Sequence, residues 1–485
     1  MGVERAEAEA IYDAGREACV EVLLRLARLE DRVGELEAEN AGLRERLGEL
    51  ERRLKRNSQN SSLPPSQDPP AAPPRPQQPR SGRSPGGQPG RVGKHRPLLP
   101  LERVDELVEH WPERCQECGH TFVEGEQTDA APPQRHQVAE LPPIAVIVSE
   151  HRLHRLACPN CGRETRAELP ADVPRGAFGP RLQAAVAALS VRNRISRRDV
   201  AALCADLFGC PLSVGAVDAI CQRTSAALAQ PYAELRQAIC TAAAVNVDET
   251  GWKQAGKRRW LWGGFTARAA ALLITGGRGQ QQATELLGAD FAGTVVSDRY
   301  SGYKHLPLEQ RALCWAHLAR DFRALAEGRG AAAEIGQAAL SLCKQLFTVW
   351  HTFRAEGRSR GWLSAQIEPL KHELRGLLER GTRDGDTATK TLCRSLDKLW
   401  PALWTFVEVD GVEPTNNAAE RGLRHAVIYR KTCFGNQSDQ GERFVERMLS
   451  VALTCKLQSR SLFTYLTQAL QNTARGDPAP SLVPP

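Results

Sequence analysis

Val245-Asn246-Val247-Asp248-Glu249-Thr250-Gly251 is a β-branched apolar run that ends on two acids and a glycine. A short run of this kind reads as a buried strand. Working outward, the strand is expected over 242–249, with others at 258–266 and 269–275. A helix is expected at 281–288 and a further strand at 293–298. That last strand again ends on an acid, in Val295-Val296-Ser297-Asp298-Arg299-Tyr300. A third acid stands far downstream, in Pro414-Thr415-Asn416-Asn417-Ala418-Ala419-Glu420-Arg421-Gly422-Leu423-Arg424. It belongs to a helix that starts behind Asn416 and Asn417, both good N-cap residues.

Three strands, a helix and then a strand carrying an acid is how a ribonuclease H-like core opens. Residues 321–405 read as helical, and 121 residues separate Asp298 from Glu420, so a helical insertion in the core is expected. Two strand-end aspartates and one helical glutamate can converge on a pair of Mg²⁺ (or Mn²⁺) ions, the arrangement that drives in-line displacement at phosphate. Asp248 and Glu249 are neighbours on one strand and face opposite sides. Asp248 is the expected metal ligand, and Glu249 is free to bind a basic group. An isolated strand-end Asp more often closes a turn; three acids in this order argue against that. Arg424, one helical turn after Glu420, can meet DNA phosphate or form an exposed ion pair. His317 and Arg320 can bind phosphate nearby, although a His packed behind the sheet would look the same. Trp252, Trp260 and Trp262 read as packing residues.

The flanks carry other signals. Cys115-Gln116-Glu117-Cys118-Gly119 and Cys158-Pro159-Asn160-Cys161-Gly162 are two knuckles, each with two thiols followed by a glycine. Together they supply the four sulfurs of one structural Zn²⁺, so residues 101–170 read as a zinc ribbon with a long insertion. That insertion holds a strand-like run, Ile144–Ser149. The other ten of the fourteen cysteines are scattered, which favours a reducing bacterial cytoplasm over a disulfide framework. Within 171–240, Arg192, Arg194, Arg197 and Arg198 precede a helix, a turn at Gly209 and a second helix capped by Ser213. That order reads as helix-turn-helix, with DNA phosphates as partners of the arginines and the second helix, around Val214, Ala216 and Val217, as the base reader.

At the amino terminus, residues 1–56 read as an oligomerisation segment, with a coiled coil over 20–56. Val22, Leu29, Leu36, Leu43 and Leu50 recur at d, and Leu26, Val33, Asn40, Leu47 and Leu54 at a. A lone Asn at a favours a parallel pair. Residues 57–100 hold 12 of the 31 prolines, and from Lys55 to Pro100 there are eight Lys or Arg against one acid, which reads as a basic, unstructured linker, either a phosphate-binding arm or a plain spacer. The core is expected to end near 440, with a helical segment and tail over 441–485. Glu4, Glu7 and Glu9 stand where a secretory leader would be basic, and no run of 18 apolar residues exists, so neither a leader nor a membrane span is expected. The net charge of +7 permits a polyanion partner without requiring one.

Taken in order, these segments resemble the large DDE transposase of the insertion sequence sixty-six family. The resemblance runs through Asn57-Ser58-Gln59-Asn60-Ser61-Ser62, the two knuckles, Asp248-Glu249-Thr250, Ser297-Asp298, Cys314-Trp315-Ala316-His317 with Arg320, Asn416 to Arg424, and Arg430-Lys431. It implies a ribonuclease H-like core, Asp248, Asp298 and Glu420 as ligands of two divalent ions, and cut-and-join chemistry on transposon ends and target DNA. It also implies small accessory proteins encoded alongside. Two other readings stay open at this level: a zinc-containing DNA-binding regulator with an idle triad, and a structure-selective nuclease on the same fold.

Overall fold

The computed structural model describes residues 5–54, 97–126, 128–170 and 173–483. The expected Pro-rich arm, apart from its last four residues, lies outside the described residues. Two helices open the chain, α1 (Arg5–Asp13) and α2 (Arg16–Leu54). The second runs for 39 residues, and Leu29, Val33, Leu36, Leu43 and Leu47 are all exposed along it. The side chains of Val22, Leu26, Leu50 and Leu54 lie outside the described set.

The chain divides into two compact units. The smaller comprises 76–227 and 463–480. In it, strands β1 (Arg155–Ala157) and β2 (Glu164–Arg166) pair antiparallel around the second knuckle. The first knuckle is closed by a bridge between Arg114 and Thr121. The strand expected at Ile144–Ser149 does not form. Ile147 and Val148 are 96% and 85% exposed, because no facing strand receives their backbone hydrogen bonds.

Helix α3 (Pro180–Ala187) continues through a π-helical turn at Ala188–Arg192. Then comes α4 (Arg197–Phe208), capped by Ser196, whose hydroxyl accepts from the Asp199 amide. Gly209 at φ +59 ends it, and the Cys210 amide reaches back to the Cys204 carbonyl, a helix stop that needs the left-handed conformation. The hydroxyl of Ser213 accepts from the Ala216 amide and starts α5 (Val214–Ala227). Val200, Cys204, Val217, Ile220 and Cys221 form the packed face of these helices.

The larger unit holds α6 (Ala229–Cys240) and a five-stranded sheet: β3 (Ala244–Gln254), β4 (Lys257–Phe265), β5 (Ala270–Thr275), then, after α7 (Gln280–Leu287), β6 (Thr294–Ser297) and β7 (Arg311–Leu313). The order across the sheet is β5-β4-β3-β6-β7. The first three strands are antiparallel, and β6 and β7 run parallel to β3. The short strand β7 was not anticipated. Ala255 and Gly256, at φ +46 and +79, turn β3 into β4, the two-residue hairpin that needs positive φ at both positions.

Each face of the sheet has its own core. Val245, Val247, Trp262 and Val295 pack with α6 and α7 on one face. Val296, Ala312 and Leu313 pack on the other with α8 (Trp315–Ala326). Four more helices, α9 (Ala331–Glu356), α10 (Arg360–Asp384), α11 (Thr387–Lys398) and α12 (Trp400–Glu408), share this second core through Leu342, Leu374, Leu396 and Trp404. The chain then returns to the sheet in α13 (Asn417–Cys433) and α14 (Asp439–Leu457). The last helix, α15 (Leu462–Arg475), is counted almost wholly with the smaller unit, where Arg181 lies over the Phe463 ring. Both α6 and α14 pack on the sheet, so this unit extends beyond the limits 241 and 440 read from the sequence.

Candidate active site

Strand parity and register bring the acids together. Val245 and Val247 face the α7 side, so Asn246 and Asp248 face the α8 side. The parallel ladder sets Asn246 opposite Val296. Two residues further on stand Asp248, still within β3, and Asp298, one residue past the end of β6. Strand neighbours lie about 4.8 Å apart, so the two carboxylates share one small volume. The charge of each neighbour is felt: the Asp248 carboxyl is pushed up to about 8, first by burial, then by Glu249, Asp298 and Glu420. An amide hydrogen bond from Glu249 opposes this only in part.

Helix α13 delivers Glu420 from across the sheet, and small residues allow its approach. A Cβ on Gly422 would collide with the Phe265 ring, and one on Gly263, the partner of Asp248 in the ladder, would come within 2.9 Å of Leu423. Asn416 stands at the N-cap, but its side chain does not cap the helix. It donates to the Val247 carbonyl at 2.7 Å and accepts from Asn246 at 3.0 Å. The helix start is thereby tied to the strand that carries Asp248.

His317 and Arg320 come from the first turns of α8. His317 Nδ1 and Arg320 Nη2 stand 3.7 and 3.8 Å from Glu420 Oε1. Both are thus turned toward the acid cluster. Burial and the Arg320 charge hold the His317 ring below its ordinary value, which keeps the imidazole neutral. The insertion steadies α8: the Trp315 indole donates to the Leu403 carbonyl at 2.9 Å, and Thr405 donates to the Arg311 carbonyl at 2.6 Å. The site remains open to solvent, with Glu420 39% exposed. Arg421 and Arg424 lie exposed on the same helix.

On the opposite face, Glu249 is buried and fully engaged. Arg278 donates to it twice, at 2.7 and 2.9 Å, and the Tyr303 hydroxyl donates at 2.7 Å. Arg278 is held between the Trp260 and Tyr300 rings. Sequence reading missed Arg278 and Asn246, and it gave no role to Tyr303 and Cys314, although both stand in the motifs Ser297-Asp298-x-Tyr300-x-Gly302-Tyr303 and Cys314-Trp315-Ala316-His317 that carry the resemblance. Cys-x-x-His at the start of a helix puts both side chains on one turn.

Away from this site, each zinc knuckle is folded for a metal. Gly119 and Gly162 take φ +72 and +70, and their amides return to the carbonyls of Cys115 and Cys158. The Cys115 thiol is lowered by the Cys118 and Glu117 amides, and the Cys158 thiol by the Asn160 and Cys161 amides. The four sulfurs are not drawn into one cluster; among the described residues the cluster of three or more ligands is Cys314, His317 and Glu420.

The arginines ahead of α4 differ from one another. Arg192 and Arg194 are half-buried, and Arg198 is exposed. Arg197 pairs with Asp218 at 2.9 Å, which commits it to holding α4 against α5 rather than reaching a phosphate. Val217 is fully buried and cannot read a base, whereas Val214 is 44% exposed.

Comparison with known proteins gives three family matches. The model described as Transposase IS66 family covers residues 175–443, more than half of the chain. The zinc-finger binding domain of transposase IS66 covers 112–162, a range that contains all four knuckle cysteines. A family of unknown function (DUF6444) covers 5–97. Among curated proteins, the uncharacterized protein y4qI of Sinorhizobium fredii (strain NBRC 101917 / NGR234) is 27% identical over 251 residues. The match takes in 46% of this chain and 45% of that relative, so it spans less than half the relative's length.

Proposed function

The chain belongs to the IS66 transposase family, and from that premise we propose that it cuts and joins the DNA ends of an insertion sequence by phosphoryl transfer at Asp248, Asp298 and Glu420. The observation that carries this reading is the placement of Asp248 on β3 and of Asp298 just past the end of the adjoining β6, with a helical glutamate, and the charges of both Asp298 and Glu420 reach Asp248. The strand order, three antiparallel strands followed by two parallel ones, supports a ribonuclease H-like core.

The donor set fits divalent cations. A carboxyl raised to about 8, by burial first and by crowding with other acids second, is one that a cation would restore to its charged form. Glu420 Oε1 is buried with no hydrogen-bond partner, as a ligand oxygen would be. Two divalent ions held there would supply a deprotonated water or 3′-hydroxyl as nucleophile and stabilise the departing oxygen.

The chain's own residues do the rest. Asn416 and the glycines of α13 and β4 fix Glu420 against the aspartates. Arg278 and Tyr303 engage Glu249 on the other face, although its charge is still felt by Asp248. Arg421 and Arg424 offer exposed cations to the DNA backbone on the helix that carries Glu420. Arg198, with Arg192 and Arg194, gives the smaller unit a phosphate-binding edge. Cys115, Cys118, Cys158 and Cys161 close on one Zn²⁺.

The test is cleavage and strand transfer of labelled insertion-sequence ends with Mg²⁺ or Mn²⁺. Asp248→Asn, Asp298→Asn and Glu420→Gln should each abolish both products while DNA binding persists. Near-full activity in the Asp298→Asn chain would overturn the assignment. Cleavage without joining in the parent chain would instead favour a nuclease.

A further inference from the structure

Cys314, His317 and Glu420 meet at a point that an all-carboxylate site does not need. One ligand atom from each lies within 4.8 Å of the others. Ligands of a tetrahedral ion at about 2.0–2.3 Å stand roughly 3.3–3.8 Å apart, and His317 Nδ1 is already 3.7 Å from Glu420 Oε1. Both atoms are buried, and neither has a hydrogen-bond partner. Buried polar atoms in native structures are almost always paired, so two that face each other unpaired call for a shared third atom between them.

The sulfur is prepared for the same role. Cys314 is buried, and its Sγ accepts from the Asn416 amide at 3.1 Å and from the amides of His317 and Ala316. Those donors belong to the starts of α8 and α13; burial pushes the Cys314 thiol above its ordinary value, these amides oppose that in part, and a bound cation would draw the thiolate out. Cys314 and His317 are three residues apart on one helical turn, and Glu420 comes from the facing helix, so the set is held by two elements fixed in the core.

We propose that Cys314, His317 and Glu420 form a binding site for a borderline-soft divalent cation, Zn²⁺ foremost, beside the oxygen-only pair of Asp248 and Asp298. Sulfur and imidazole nitrogen suit Zn²⁺ and disfavour Mg²⁺, which demands oxygen ligands in near-octahedral order. Arg320, 3.8 Å from the same glutamate oxygen, is the counterion that the metal would displace. The consequence for the proposed chemistry is that its two ion positions differ in preference. Zn²⁺ competes at the one shared with Glu420.

The inference rests on the active-site reading through Glu420 alone, so metal content and DNA cleavage are measured separately. The full chain is dialysed against buffered Zn²⁺ and its zinc counted by mass spectrometry; Co²⁺ substitution reports thiolate ligation through its near-ultraviolet charge-transfer band. Two zinc per chain are expected. One should remain in the Cys115→Ser, Cys118→Ser, Cys158→Ser, Cys161→Ser chain and disappear when Cys314→Ser or His317→Gln is added. Should the fourfold variant fail to fold, Cys314→Ser in the parent chain must lower the count from two to one and weaken Zn²⁺ binding at least about tenfold.

A single zinc in the parent chain, or an unchanged count and spectrum in Cys314→Ser, would overturn the site. Cleavage that needs all three acids alongside a missing second zinc would remove this inference and leave the function standing. A second zinc lost in Cys314→Ser, in a chain whose cleavage ignores Asp298→Asn, would do the reverse.

Discussion

Asp248 has a carboxyl that its neighbours discourage from ionising. Its ordinary value of 3.8 rises to about 8, through burial first and the surrounding acids second. Between these limits the folded, metal-free chain keeps a proton that the unfolded chain releases. Its contribution to stability is therefore complete below pH 3.8 and lost as pH rises through about 8. Asp248→Asn removes that dependence. In the presence of a chelator the Asn variant should melt at or above the parent temperature, and the gap should widen from pH 5 to pH 8. Mn²⁺ should raise the parent's midpoint far more than the variant's, because a ligand that binds only the folded state stabilises it. A parent chain that melts higher than the variant at pH 8 without metal would contradict the crowding. Glu249 shows how position decides such matters. It is one residue away and equally buried, yet Arg278 and Tyr303 engage it on the other face.

Helix α14 acts on the sheet through a matched repeat. Glu446, Ser450 and Thr454 are four residues apart on the helix, a rise of about 6 Å per step. Alternate amides of β5 stand about 6.8 Å apart. The three side chains accept from the Ile274, Leu272 and Ala270 amides at 2.6, 2.9 and 3.0 Å. The edge strand is thus closed by side chains rather than by another strand, which removes a template for aggregation. Glu446 is buried, and its carboxyl is raised from 4.5 to about 7, chiefly by desolvation. A raised acid contributes stability below pH 4.5 and loses it as pH passes 7. Glu446→Gln keeps an acceptor for the Ile274 amide and cannot ionise. The variant should match the parent at pH 5 and exceed it at pH 8 by a few kcal/mol at most, since each pKa unit is worth about 1.4 kcal/mol. Thermal melts at the two pH values check this, and a variant less stable than the parent at pH 8 would show that the charged form is the one the strand needs.

At the scale of the whole molecule, the long amino-terminal helix α2 presents an exposed apolar seam. Its described a and d residues Leu29, Val33, Leu36, Leu43 and Leu47 are exposed along α2, and an exposed apolar seam of heptad spacing is stable when a second helix covers it. We expect that partner to be a second copy of the chain, in parallel register through Asn40. Sedimentation of the 20–56 peptide should show a dimer, and Asn40→Leu should raise its melting temperature while broadening its oligomeric state. A monomer at high peptide concentration would refute the pairing.

The core of this protein was largely legible in its sequence because its strands are short, mostly apolar runs and its helices carry their own stops and caps. The strands at 242–249, 258–266, 269–275 and 293–298, the helix behind Asn416 and the capped pair around Gly209 and Ser213 are all local signals. Strand β7 escaped, since three residues carry too little pattern. Ile144–Ser149 misled, since alternation without a facing strand has nothing to pair with. What no local pattern could supply was meeting. Whether Asp248 lies beside Asp298 depends on the ladder register, and whether Glu420 joins them depends on Gly422 clearing Phe265 and on Asn416 holding Val247. That Cys314 and His317 face the same oxygen depends on an insertion whose core fixes α8. These contacts join residues from 50 to well over a hundred positions apart. Sequence thus determined which groups this chain owns, while close packing across the sheet decided which of them share a site.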